Sequence, residues 1–305
     1  MFHVKHIPFC HSEQSEGIFK NQNLMNFKEN NIYINVKDFS VSGESFSLLQ
    51  NEEGEILKTT PTPSLERLPS YYESEDYISH TDGKRSLFEK MYHFVKRNAI
   101  RQKVNLISNY SQKGNLLDIG AGTGDFLVEA KNQGWTTLGI EPNESAKQLA
   151  ENKGVNFTVS LEAITDDSFD VITMWHVLEH VPDLDFQLQQ LKRICKPNGT
   201  IIIAVPNFKS YDAKYYKEFW AAYDVPRHLW HFSKNGIQKL FSNYQIQLVN
   251  VKPMWFDSFY VSLLSEKYKN GKMNFVKGFF IGFCSNLSGI FKKEFSSHIY
   301  VFKNN

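Results

Sequence analysis

Cysteine is scarce in this sequence: three in 305 residues, Cys10, Cys195 and Cys284, far apart and never in a C-x-x-C pair. That excludes a zinc ribbon and a disulfide framework, and a reducing cytoplasm is the expected compartment. A charge excess is also lacking. The 34 basic and 33 acidic side chains nearly cancel, so no global field draws the chain to nucleic acid. Long apolar runs are missing as well. The opening residues hold no continuous apolar segment, and the richest late stretch, NFVKGFFIGFCSNLSGIF, is broken by Lys277, Ser285 and Asn286. Neither reads as a signal or a membrane span. Internal repeats and low-complexity tracts are absent. What remains, 41% hydrophobic and 22% charged, suits a folded domain with appendages rather than a disordered chain.

Residues 1–24 show neither helical nor strand periodicity and are expected to be a disordered or spurious leader, with Met25 as a second start. Residues 25–70 read as a small β appendage and its linker: NIYINV, SFSLLQ and ILKTT alternate, NEEGE turns, and TPTPSLERLPS breaks off. Apolar residues at helical spacing in SLFEKMYHFVKRNAIRQKVNLISNY predict a leading helix. From Asn115 onward strand and helix signals alternate: NLLDIG, GDFLVEAKNQG, TTLGIE, ESAKQLAENKG, NFTVS, FDVITMW, DFQLQQLKRICK, GTIIIAVP. Short apolar strands separated by helices imply right-handed crossovers and a doubly wound, mostly parallel α/β sheet. QIQLVNV and HIYVF add two late strands around an aromatic insertion.

LLDIGAGTGDF places Gly120, Gly122 and Gly124 between an apolar strand and a helix. Glycine there permits a tight turn and close ligand approach at the carboxyl end of a strand. Glu141, ending the next strand in LGIEPN about 20 residues on, can accept hydrogen bonds from ribose hydroxyls. A nucleoside-containing cofactor is expected. The dinucleotide fingerprint G-x-G-x-x-G would put a glycine at position 125, where this chain has Asp125, and a P-loop would need Lys followed by Ser or Thr.

These residues resemble the class I S-adenosylmethionine-dependent methyltransferases, in the bacterial branch beside the quinone-biosynthesis O-methyltransferases. LLDIGAGTGDF is similar to their first motif, LGIEPN to their acidic second strand, and SFDVITMWHVLEHVPD to their fourth strand and following helix. The resemblance runs over 71–305 and implies a Rossmann-like, seven-stranded domain with an aromatic lid at 207–235 and a C-terminal insertion at 253–297. It further implies S-adenosyl-L-methionine as cofactor. Asp118 and the loop Gly120, Ala121, Gly122, Thr123, Gly124 would hold its methionine end, Glu141 and Pro142 its ribose side, and Ser160 and Leu161 its adenine. Relatives often carry a cysteine zinc ribbon before this domain; the appendage here has no such cysteines.

WHVLEHVPD contains H-x-x-E-H, the ligand pattern of one zinc peptidase class. That pattern must lie within a helix, whereas this one starts at a strand end and meets Pro182. Trp175 and His176 should instead emerge at the carboxyl edge, facing the cofactor crevice. In quinone O-methyltransferases an E-x-x-E-H here can serve a divalent cation. His176, Glu179 and His180 could do the same, but a hydrogen-bond network is the commoner outcome and no metal ligand is assigned. His228 and His231, in the aromatic DVPRHLWHFS, lie either in a small second core or over the acceptor, where one would remove its proton. His176, His228 and His231 are therefore the candidate catalytic residues.

Phe275, Phe279, Phe283, Leu287 and Ile290 share one helical stripe, read first as core packing or a cap on the pocket, and otherwise as peripheral membrane contact through 274–291. The expected activity is methyl transfer, most readily O-methylation, to a small apolar or aromatic acceptor, with no nucleic-acid partner. A cofactor-binding protein without transfer activity and a nicotinamide oxidoreductase are the alternatives. The acceptor and the oligomeric state are not legible.

Overall fold

The computed structural model describes residues 22–64, 66–72 and 87–305. Three antiparallel strands come first: β1 (Phe27–Lys37), β2 (Ser45–Asn51) and β3 (Ile56–Thr60). Helix α1 (Leu87–Ser108) leads into the alternating region. There the chain runs through β4 (Asn115–Ile119), α2 (Asp125–Asn132), β5 (Thr136–Ile140), α3 (Glu144–Glu151), β6 (Phe169–Trp175), α4 (Leu184–Ile194) and β7 (Cys195–Pro206). It continues with α5 (Tyr211–Tyr216), β8 (Trp230–Phe232), α6 (Lys234–Ser242), β9 (Ile246–Pro253), α7 (Asp257–Asn270), α8 (Phe275–Lys292) and β10 (Ser297–Asn304). Asn143, Asp183, Ser210, Ser233 and Asn274 start α3, α4, α5, α6 and α8, each accepting the backbone N–H three residues on.

The central sheet has the order β5-β4-β6-β7-β10-β9. Its first four strands are parallel, and β10 runs antiparallel to both β7 and β9. Successive side chains alternate between faces. Leu116, Val171, Ile202 and Ala204 pack with residues of α1, α2 and α3, whereas Leu117, Ile172, Ile201 and Ile203 pack with residues of α4 and α6. The chain enters at β4, steps outward to β5 and returns past β4 to β6, so strand order reverses between β4 and β6. In open α/β sheets the crevice at the carboxyl ends of such strands is where ligands bind.

Six strands form where seven were expected. NFTVS supplies only a one-residue parallel bridge, Phe157 to Gly139, at the outer edge beside β5. Val159 stands 81% exposed, so this edge has no second layer to hold a strand. The amino end also differs from expectation. Residues Gln22–Met25 form a 3-10 turn whose Leu24 is fully buried in the main core and whose Leu24 carbonyl accepts from Asn51 Nδ2. Packed structure thus begins before Met25, and the remainder of the expected leader lies outside the described residues.

Nor is the appendage free-standing. Strand β8 completes its sheet in the order β1-β2-β3-β8, and a second core forms on it from Phe46, Leu48 and Leu57 with Phe208, Tyr216, Trp220, Tyr223, Val261 and Ile281. The segment expected as a lid is thereby a packed wall. Asp212, fully buried, ties it together, accepting from Trp220 Nε1 (2.8 Å), Ser285 Oγ (2.6 Å) and Ser296 Oγ (2.7 Å). Arg227 fastens the two halves through Asp38 (3.1 Å), Asp224 (2.7 Å) and the Tyr71 carbonyl (2.8 Å).

Helix α8 corrects the core-packing reading of its stripe. Gly278, Gly282, Ser285 and Gly289 face inward, while Phe275, Phe279 and Phe283 are 67%, 60% and 54% exposed. The close approach needs glycine: a Cβ at Gly282 would meet the Phe259 Cα at 2.8 Å, and one at Gly278 the Leu263 side chain at 2.9 Å. Among the described residues no helix is long and apolar enough to cross a membrane.

Candidate active site

Four connections converge on the carboxyl edge of the sheet: the glycine loop after β4, Glu141 after β5, His176–His180 after β6 and the segment after β7. Gly120, Gly122 and Gly124 have φ of 75°, 54° and 74°, a region open to glycine and costly for other residues. A Cβ at Gly122 would meet nothing within 4 Å, so the loop faces open space there. At Gly124 it would meet Ala150 Cβ at 2.7 Å, so this glycine serves helix packing. The N–H groups of Gly120 and Ala121 donate to the Ile140 carbonyl (2.8 and 3.0 Å), which locks the loop to β5. Thr123 Oγ1 donates to Asp125.

Glu141 is buried and accepts from Gly122 N–H (2.7 Å) and Asn143 N–H (2.8 Å). Burial raises its carboxyl to about 7 against the opposing pull of these two hydrogen bonds. Pro142 and Ser160 are half-buried, and Leu161 belongs to the main core, its carbonyl accepting from Arg193 (2.9 Å). Asp118 is buried, accepts from Thr173 Oγ1 (2.6 Å) and lies in the field of Lys103. Burial holds the Asp118 carboxyl above and the Lys103 ammonium below their ordinary values. Lys103 stands 4.3 Å from the centre of the Trp175 ring, whose other neighbour is Phe126, edge-on at 5.7 Å. Sequence reasoning missed Lys103. Its signal was a lysine on the buried stripe Ile100, Val104, Ile107 of α1.

At the end of β6, His176 takes φ 58°, a strained value for a side chain with a Cβ. Its Nε2 lies 3.2 Å from Asp257 Oδ2 and its Nδ1 3.3 Å from Glu179 Oε1, the latter an ion-pair distance without hydrogen-bond alignment. Burial opposes its charge, yet the contact with Asp257 and the negative charges of Asp257 and Glu179 prevail and raise its pKa to about 9. His176 is therefore an imidazolium at neutral pH. Asp257 had no signal in sequence, because only the packing of α7 brings it here.

Residues Leu178–His180 form a short 3-10 turn, as Pro182 requires, and the peptidase geometry is absent. Instead the two histidine motifs zip together. Leu229 N–H donates to the Glu179 carbonyl (2.8 Å), Trp230 Nε1 to the Val181 carbonyl (2.7 Å) and His180 Nδ1 to the Arg227 carbonyl (2.9 Å). His180 and His228 meet edge-on with ring centres 4.6 Å apart. Burial and the neighbouring His228 push His180 down to about 3, so it stays neutral. His228 donates from Nδ1 to the Ala222 carbonyl (2.9 Å). His231 lies deeper. Thr59 Oγ1 donates to the His228 carbonyl (2.6 Å), so at 3.1 Å it must accept from His231 Nε2. That bond pins His231 between β3 and β8.

Residues 87–251 match the family model described as "Methyltransferase domain". Among curated relatives, the ubiquinone biosynthesis O-methyltransferase of Actinobacillus pleuropneumoniae is 33% identical over 122 residues, covering 35% of this chain and 50% of the relative. That of Pseudomonas fluorescens is 30% identical over 123 residues, covering 37% and 51%. The chain thus spans about half the length of the curated relatives it matches. Among solved structures, geranyl diphosphate C-methyltransferase from Streptomyces coelicolor aligns with a TM-score of 0.50 at 13% identity, over 74% of this chain and 86% of that one. At that identity the likeness concerns the fold.

Proposed function

The chain belongs to the methyltransferase domain family, and on that premise we propose that it moves the methyl group of S-adenosylmethionine to a hydroxyl oxygen of a small, apolar or aromatic acceptor. As a member of that family it is an S-adenosylmethionine-dependent methyltransferase by class. The oxygen acceptor rests on the relatives' printed name and on the proton-accepting groups beside the crevice. The observation that carries the reading is that the glycine loop, Glu141 and the turn bearing Glu179 follow three neighbouring parallel strands, β4, β5 and β6, at their carboxyl ends.

In this reading Asp118 takes the ammonium and Lys103 the carboxylate of the cofactor's methionine end, a matched pair for a zwitterion. Ribose hydroxyls donate to Glu141, and Trp175 walls the crevice. The sulfonium methyl is already electrophilic, so the protein's task is to align the acceptor oxygen behind it, which is worth on the order of 7–11 kcal/mol in favourable cases. The acceptor proton passes to the Glu179–His228 corner. His176, held charged between two carboxylates, and His231, pinned by Thr59, position that corner.

The outward stripe of α8 favours an added element, a cytoplasmic enzyme in peripheral contact with a membrane. Trp255, Phe256, Phe275, Val276, Phe280 and Phe291 extend the exposed apolar face. Lys267, Lys269, Lys272, Lys292 and Lys293 flank α8 in the sequence, as in helices that lie in a lipid interface.

Incubating the protein with methyl-labelled S-adenosylmethionine and a small-molecule extract, then identifying the labelled product, tests the proposal. An O-methyl derivative of an apolar compound, formed with one adenosylhomocysteine per methyl, is expected. Label on nitrogen, on carbon or on macromolecules would overturn the oxygen acceptor. Cofactor binding without turnover would leave a binding protein.

A further inference from the structure

Between α3 and β6 the chain makes one bridge to the sheet, Phe157 to Gly139, adds a bond from Thr158 N–H to the Gly139 carbonyl (3.0 Å), and then leaves the ladder. The stretch that follows, residues 160–166, has to be shaped from elsewhere. Arg193, in the last turn of α4, shapes it. Its Nη2 donates to the Leu161 carbonyl (2.9 Å), and its Nη1 to the Ile164 carbonyl (2.7 Å) and to Asp166 Oδ1 (2.6 Å). Nε and Nη2 also donate to Gln190 Oε1 (3.0 and 2.7 Å), which holds the guanidinium in place from one turn earlier. The end of α4 is laced to the same loop through its backbone, with Asp167 N–H on the Arg193 carbonyl and Ser168 N–H on the Ile194 carbonyl, both at 3.0 Å.

A guanidinium holds its N–H groups in one rigid plane, so Arg193 fixes the Leu161 and Ile164 carbonyls relative to each other, which the point charge of a lysine would not. The peptide plane passes that constraint on. In a trans peptide the N–H lies opposite the carbonyl, so tying the Leu161 carbonyl back to α4 turns the Glu162 N–H away from that helix. The N–H groups of Ser160, Leu161 and Glu162 meet no acceptor among the described residues, and the side chains of Leu161 and Ile164 are anchored in the main core. The loop thus presents peptide donors in a set arrangement. We propose that Arg193 is a positioning residue for the cofactor's purine, acting through residues 160–166 and setting their preference for adenine. The proposal rests on the methyltransferase reading above, with adenine beside Ser160 and Leu161. Adenine presents a bare ring nitrogen beside its amino group, whereas hypoxanthine presents a ring N–H beside a carbonyl. A peptide N–H held in place meets an acceptor in the first and another donor in the second. The ion pair with Asp166 contributes little, since that carboxylate is 70% exposed.

The full chain is titrated calorimetrically with S-adenosylhomocysteine and with S-inosylhomocysteine, in which hypoxanthine replaces adenine. The parent should bind the adenosyl compound at least about 10-fold more tightly. Arg193→Met, which keeps the apolar stem and loses the fork, should bring that ratio to within about 2-fold of unity, with Arg193→Lys between the two and Asp166→Ala keeping the parental ratio. Loss of packing alone would lower the thermal midpoint and weaken both compounds equally, leaving the ratio unchanged. If Arg193→Met does not fold, Gln190→Leu decides: it frees the guanidinium without removing it, and a ratio smaller than the parent's is expected. A parent that binds neither compound would overturn the cofactor reading and the proposal with it. A parent that binds both equally, or a folded Arg193→Met variant (failing that, Gln190→Leu) with the parental ratio, would overturn the role of Arg193 and leave the cofactor reading standing.

Discussion

At the scale of single residues, the site depends on charges held at unusual values by burial. Glu141 titrates at about 7 because burial outweighs two backbone hydrogen bonds. Ribose hydroxyls favour the ionised form, so affinity for S-adenosylhomocysteine should rise as pH passes upward through about 7, and binding should release a proton. Glu141→Ala should weaken binding by roughly 1.5–3 kcal/mol and abolish that pH dependence, both readable by calorimetry. His176 shows the opposite linkage. Its folded value of about 9 exceeds its ordinary 6.5, so its stabilising charge is complete below about 6.5 and lost as pH rises through about 9. The thermal midpoint of the parent should therefore exceed that of His176→Gln most in the acid range, with the gap closing above pH 9. A gap that does not change with pH would mean His176 acts through packing. Glycine loop and Glu141 were legible in sequence because strand, loop and acid follow one another locally. Lys103 and Asp257 were not, since a helix and a distant insertion must pack before either charge reaches the crevice.

At the scale of elements, local periodicity located nearly every strand and helix of the alternating domain, and its failures have physical causes. NFTVS has strand composition but an unsupported outer edge, so only Phe157 pairs. The stripe of α8 was correctly grouped, but a period of 3.6 residues does not say which side of a helix faces in. Glycine and serine allow α7 and α8 to approach closely, and that contact turns the phenylalanines outward. Replacing Phe279 and Phe283 by serine should accordingly leave the thermal midpoint almost unchanged, whereas burial in the core would have made each such loss cost several kcal/mol. The same double variant should bind anionic vesicles less tightly in a sedimentation assay. Gly282→Leu should do the reverse, unfolding the helix pair because its side chain meets the backbone of Phe259.

At the scale of the whole molecule, three stretches far apart in sequence build one wall: the amino-terminal strands, the segment after β7 and the helix pair α7–α8. The sequence divides them into appendage, lid and insertion because nothing local reports that β8 pairs with β3. Arg227 holds the wall to the amino-terminal sheet with two carboxylates at hand. Arg227→Met should cost about 3–5 kcal/mol by leaving buried Asp38 and Asp224 without their cation, seen as a large fall in thermal midpoint. That wall also carries His228 to Glu179, so the two histidine motifs, separately visible in sequence, become one corner only in the fold. In the proposed function the crevice at the β4–β6 reversal holds S-adenosylmethionine with its methyl aimed at this corner. A crystal structure with S-adenosylhomocysteine tests it most directly. The ribose hydroxyls should lie on Glu141, the amino-acid end between Asp118 and Lys103, and the sulfur on the side of the Glu179–His228 corner. A cofactor bound elsewhere, or one whose sulfur points away from that corner, would rule out methyl transfer at the Glu179–His228 corner.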